Sequence, residues 1–227
     1  MACEHGRSSP EMCDECFPNP DINDVKWEAS LKSMEDIGTL PRIKITKIEK
    51  FDETRLRQAY IESLQSKCVK HQVGCIIVNS QGRIVASGYN GTPAGDSNCC
   101  DRFPNFEEEV EAIKQEIRLG CEILGTNKLK ELYDKHHKWS SEHEIHAEMN
   151  ALLHSNRDDI QGGTLYCTHQ PCADCSKNIA NSGVSRVVYG VPYGRTSENT
   201  SDMMRRNVTY VHVDGVLSES DGKLILL

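Results

Sequence analysis

Apolar residues recur at two different spacings along the chain, and the spacing changes mark the elements. Val25, Trp27, Leu31 and Met34 sit at near-helical intervals, and Gly38 and Pro41 stop the pattern, which predicts a short helix over 24–37. Ile43, Ile45 and Ile48 alternate, as in a short edge strand. Leu56, Tyr60 and Leu64 recur every fourth residue and predict an amphipathic helix over 53–66. The apolar run 73–78, the Gln81-Gly82 turn and the run 83–87 read as a hairpin spanning 73–88. Residues 105–142 are a polar insertion, with one predicted helix over 107–119 whose Val110, Ile113 and Ile117 share a face. A helix opening at His146, a strand over 164–168, a helix opening near Cys172, a strand over 185–189, a short helix around 199–206 and a strand over 208–213 complete the pattern. Strands alternating with helices predict a layered α/β sheet.

Composition narrows the classes. The 227 residues suffice for one well-cored domain with appendages. No apolar run approaches the roughly twenty residues of a membrane helix, and the N-terminus lacks the apolar stretch of a secretion signal. The eleven cysteines are odd in number and several pair as C-x-x-C beside histidines, which favours metal binding in a reducing cytoplasm over disulfides. The net charge of −8, with 26 basic residues scattered among 34 acidic ones, favours a small substrate over a nucleic acid.

The chemistry concentrates in His-Ala-Glu at 146–148 and Pro-Cys-Ala-Asp-Cys at 171–175. His146, Cys172 and Cys175 supply the three protein ligands of a catalytic zinc, with the fourth position left for water. Two residues from the histidine, Glu148 is placed as a base rather than a ligand. The pattern H-x-E…P-C-x-x-C is that of zinc-dependent deaminases, in which the glutamate moves a proton from water to the ring nitrogen as ammonia leaves. Cys172 and Cys175 share one face of a helix start, where unpaired N–H groups favour thiolates. In the arm, Cys3, His5, Cys13 and Cys16 have the spacing of a further zinc site.

Wider segments sharpen this. Ser66-Lys-Cys68, Val73-Gly74-Cys75-Ile76-Ile77, Gly88-Tyr-Asn-Gly-Thr-Pro-Ala-Gly95, Asn98-Cys-Cys-Asp101, Trp139-Ser-Ser141, 144–152 and Tyr166-Cys-Thr168 resemble the deoxycytidylate (dCMP) deaminase family, in its bacteriophage flavour. The resemblance runs through most of 51–215. It implies a cytidine-deaminase-like three-layer α/β/α sandwich with a five-stranded mixed sheet as residues 51–227, preceded by an extension at 1–50. It implies hydrolysis of dCMP to dUMP for thymidylate synthesis, with 5-substituted dCMP as a further substrate, in the cytoplasm (of the host, if the source is viral). It further implies a homohexamer controlled by dCTP with Mg²⁺ and by dTTP.

Residue by residue, the resemblance gives Asn90 and the Ala147 backbone to the nucleoside, and Tyr193 and Arg195 to the 5′-phosphate, with Lys70 a weaker candidate. Gly88, Tyr89, Gly91 and Gly95 match the regulatory nucleotide loop, although a plain turn after the hairpin fits the residues as well. Cys68, Cys99, His136 and Glu144 match a structural zinc site, with His137, His143 and Cys100 as alternative ligands nearby. Arg157 matches an interface arginine, and His154 departs from the family's apolar or aromatic residue. Two other readings stay open from sequence: a deaminase of polynucleotide, tRNA or another cytosine compound, and an inactive zinc-stabilised binding module.

Overall fold

The computed structural model describes residues 47–192, 207–220 and 223–227, all within a compact unit spanning Ile45–Leu227. The cysteines and histidine of the arm, the predicted helices over 24–37 and around 199–206, Tyr193 and Arg195 lie outside the described residues.

The first helix, α1 (Lys47–Ser63), leads into the hairpin β1 (Gly74–Val78) and β2 (Ile84–Tyr89). The short α2 (Cys99–Arg102) follows, and then the two helices of the insertion, α3 (Phe106–Arg118) and the long α4 (Glu122–His143). The rest alternates: α5 (Ala147–Leu153), α6 (Arg157–Ile160), β3 (Thr164–His169), α7 (Ala173–Ala180), β4 (Arg186–Val191) and β5 (Thr209–His212). A C-terminal hairpin closes the chain with β6 (Leu217–Ser220) and β7 (Lys223–Leu226).

The strand order is β2-β1-β3-β4-β5. β1 runs antiparallel to both β2 and β3, while β3, β4 and β5 are parallel, so the sheet is mixed as expected. Every residue of β1 is buried because successive side chains serve opposite layers. Cys75 and Ile77, with Leu165, Cys167 and Val187, pack against Ala147 and Ala151 of α5 and Ile179 of α7. Ile76 and Val78, with Tyr166 and Val188, pack against Leu56 and Ala59 of α1 and Val216 and Leu217 of the C-terminal hairpin. Each such apolar side chain contributes about 1.5–3 kcal/mol by leaving water. This is a three-layer α/β/α sandwich.

A buried polar tie fixes α1 to the sheet. Asp52 accepts from both Arg186 terminal nitrogens, at 2.8 and 2.6 Å, and from the Tyr166 hydroxyl at 2.8 Å. Glycine matters where α5 crosses β2. A Cβ on Gly88 would stand 2.4 Å from the Ala151 amide nitrogen and 2.5 Å from the Ala147 carbonyl oxygen. Gly88 therefore sets the distance of the helix that carries His146 and Glu148.

Several sequence expectations need correction. The alternation at 43–48 is not a strand at its end, since α1 already includes Ile48. That helix runs 47–63 rather than 53–66. The insertion is a helical hairpin: α4 packs along α3, with Gly125 buried against Ile117. At its far end Phe103, Phe106 and Trp139 form ring contacts with one another or with His136, so this insertion has a small core of its own. Among the described residues no helix is long and apolar enough to cross a membrane.

Candidate active site and metal centres

His146 and Cys172 occupy the N-cap positions of α5 and α7, with extended backbones that turn their side chains across the helix ends. The bridge between Gly91 and Ile145 pins the segment entering α5 through N–H to carbonyl bonds of 3.1 and 2.8 Å. Pro171 ends the loop from β3, so the carboxyl ends of the parallel strands deliver both thiols to one place. His146 Nδ1 lies 3.5 Å from Cys172 Sγ and 3.3 Å from Cys175 Sγ. The three ligand atoms fall within 4.8 Å of one another.

The electrostatics suit a cation. Hydrogen bonding from Cys175 holds the Cys172 thiol down at about 4, and contact with Cys172 raises His146 to about 9. The same hydrogen bond with Cys172, and then burial, push Cys175 the other way. An imidazolium, a thiolate and a thiol so close together are the protonated form of a metal site. One nitrogen and two sulfur ligands, with one side reaching solvent at His146, fit zinc with an open position.

Glu148 sits in the first turn of α5 and is only 4% exposed. Burial raises its carboxyl above the ordinary range, opposed by the nearby charge of His146. It lines a cavity of about 530 Å³ together with His146, Ala147, Cys172 and Asn90. The Asn90 amide spends part of its capacity on the frame: Oδ1 accepts from the Val73 amide at 2.8 Å, and Nδ2 donates to the His71 carbonyl at 2.9 Å. One amide hydrogen and one oxygen lone pair remain for a ligand.

The second cluster is wholly buried. Cys68, past the end of α1, Cys99 at the start of α2, and His136 on α4 converge from three distant segments. His136 Nε2 lies 3.7 Å from Cys68 Sγ and 3.3 Å from Cys99 Sγ, and the sulfurs are 4.0 Å apart. Glu144 stands beside this trio. Burial and then the charge of Cys68 lift its carboxyl to about 8, and Oε1 is buried without a hydrogen-bond partner. A carboxyl left unpaired against two thiols is what the fourth ligand of a closed zinc site presents.

The loop glycines separate by role. Gly88 and Tyr89 belong to β2, and Gly88 is explained by the crossing of α5. Gly91 forms the bridge to Ile145, and Gly95 turns with a φ of +93° in open space. The sequence reading missed His71, His169 and Glu219, which also line the cavity. His71 and His169 carried no motif spacing, and Glu219 comes from a hairpin that the periodicity did not reveal.

With this geometry in view, comparison with known proteins decides the family. The family model for the cytidine and deoxycytidylate deaminase zinc-binding region matches residues 49–191. The chain belongs to this family. It is 40% identical over 162 residues to the deoxycytidylate deaminase of Enterobacteria phage T4, covering 67% of this chain and 83% of that relative. It is 36% identical over 139 residues to the deoxycytidylate deaminase of Mycobacterium phage D29, covering 61% of this chain and 93% of that one. Among solved structures, the dCMP deaminase of cyanophage S-TIM5 in complex with dCMP and dUMP aligns with a TM-score of 0.50 at 29% identity, over 72% of this chain and 96% of that one. Both clusters lie inside the family match, and the C-terminal hairpin lies beyond it.

Proposed function

We propose that the chain hydrolyses dCMP to dUMP and ammonia at the cluster of His146, Cys172 and Cys175, with Glu148 as the proton carrier. The observation that carries this is the buried carboxyl of Glu148, raised above its ordinary range, in the lining of the same cavity as the open cluster. The phage relatives and the dCMP- and dUMP-bound structure support the substrate.

Zinc, when bound, supplies Lewis acidity that makes a water nucleophilic near neutral pH. The residues do the rest. Glu148 takes the proton of the attacking water, aided by a carboxyl whose burial makes it a stronger base than an exposed one. It returns that proton to the ring nitrogen as the carbon gains oxygen and loses ammonia. Ala147 begins α5, so its backbone N–H has no partner within the helix and faces the cavity as a donor for the base. Asn90 orients the nucleoside with its remaining amide capacity.

Cys68, Cys99, His136 and Glu144 hold a structural zinc that fastens the insertion to the sheet domain. The exposed Tyr89 and Leu153, together with His154 and Arg157, support assembly of copies along the α5 edge, and a hexamer responsive to dCTP with Mg²⁺ and to dTTP extends this proposal. A cytoplasmic protein that supplies dUMP for thymidylate synthesis extends this proposal.

Incubating the purified full chain with dCMP, CMP, deoxycytidine and dCTP, followed by ultraviolet absorbance, tests the reading. Selective conversion of dCMP is expected. Inertness toward all four, with zinc bound, overturns it.

A further inference from the structure

The strand β6 directs Leu217 and Glu219 to the same side, being two residues apart. Leu217 is 4% exposed in the core beside Val216, so apolar burial holds the hairpin in place without help from Glu219. Glu219 instead reaches the cavity wall. Turning a carboxylate inward is costly unless it is paired. Here Oε1 lies 2.9 Å from His71 Nδ1 and Oε2 lies 3.8 Å from His169 Nε2.

The two imidazoles are not equivalent. The side chain of His169 is 12% exposed, its Nε2 is enclosed, and its Nδ1 meets the Thr168 hydroxyl at 3.0 Å. His71 has a 44% exposed side chain and keeps only its Nδ1 on Glu219, so its other nitrogen is the one a ligand can reach. The carboxylate thus fixes which nitrogen of His71 is left over.

Charge decides which part of a nucleotide meets this wall. Cys172 and Glu148 line the same cavity, and the base must lie against them for its amino-bearing carbon to react. The sulfurs and carboxyl there disfavour a phosphate, so the sugar–phosphate end belongs with the basic side chains of the lining, Lys70, His71 and His169, where the Glu219 carboxylate is already partnered by the two imidazoles. Lys70 keeps its ammonium over the Tyr133 ring, 4.3 Å from the centroid.

We propose that His71, with Nδ1–H given to Glu219, donates its other ring N–H to the 5′-phosphate of the bound mononucleotide, and that Glu219, from outside the matched family region, is its positioning residue. The inference rests on the dCMP reading above and adds to it the residue pair that recognises the phosphate.

Calorimetry on the zinc-loaded full chain with dUMP and deoxyuridine tests it, because these ligands differ only in the phosphate. The wild type is expected to prefer dUMP. His71→Leu should cut that preference about tenfold, as for loss of one hydrogen bond to a charged group, while deoxyuridine binding stays the same. Glu219→Ala should cut it by less. The double variant should be no worse than His71→Leu, because Glu219 acts through His71. Zinc content and thermal stability serve as folding controls, and His71→Gln, which retains an N–H donor, should recover part of the loss. Equal weakening of both ligands, additive single effects or an unchanged preference in His71→Leu overturns the proposal. A wild type that shows no preference for dUMP instead sinks the mononucleotide reading, and this proposal with it.

Discussion

The two cysteine–histidine clusters use the same ligand types in opposite settings. His146, Cys172 and Cys175 cap two helices at the edge of a cavity, with the imidazole exposed. Cys68, Cys99 and His136 are buried beside aromatic rings, although Cys68 and His136 also border the cavity, and they join the end of α1 to α2 and to the insertion. Each has a carboxyl next to it that burial raises above the ordinary range. Both carboxyls line the cavity, Glu148 beside the more exposed cluster and Glu144 beside the buried thiols. The contrast teaches that openness, rather than ligand chemistry, separates a site for reaction from a site for fastening.

Losing a ligand should expose the difference most strongly. Cys175→Ala is expected to abolish dCMP turnover and to lower zinc content by one equivalent while the protein stays folded, checked by metal analysis and circular dichroism. Retained turnover would place the chemistry elsewhere. His136→Ala should do the reverse: stability falls by about 3 kcal/mol or more in urea, because a ligand and a buried ring are removed together. Its turnover should fall less than that of Cys175→Ala. Equal effects from the two variants would erase the distinction.

Chelation gives a kinetic version. A strong chelator should withdraw zinc from the open cluster within the folded protein and from the buried cluster only as it unfolds, so release should be biphasic. Single-phase release of both metals would contradict the assignment. The smallest effect is protonic. At pH 7.5 the metal-free open cluster holds a proton on His146, whose value is raised to about 9, and another on Cys175, which is raised further. Zinc uptake there should release about two protons, one from each, while Cys172, held at about 4, is already a thiolate. Calorimetry in buffers of different ionisation enthalpy measures this, and a release near zero would refute the imidazolium–thiolate picture.

The sequence made some of this legible and concealed the rest for physical reasons. The strands at 74–78 and 164–169 could be located from the sequence because burial on both faces leaves largely apolar runs, whereas their order in the sheet emerges only from the fold. The open cluster was visible because its ligands lie within thirty residues and at helix starts. The buried cluster was reached through family resemblance alone, since Cys68, Cys99 and His136 are separated by 31 and 37 positions. Helix α4 escaped notice because its buried side chains are few, with Gly125 and His136 carrying the contacts that a stripe of leucines would have announced. The pairing of His71 with Glu219 spans 148 positions by numbering and follows no periodicity, so only the folded chain reveals it.

The central claim is that Glu148 moves the proton beside an intact open zinc cluster. Glu148→Gln keeps the size and the buried position of the side chain and removes its capacity to accept a proton. Measured by zinc content and by dCMP conversion on the same sample, this variant should retain its full zinc complement and lose turnover. Undiminished conversion of dCMP by a zinc-replete Glu148→Gln protein would contradict the account.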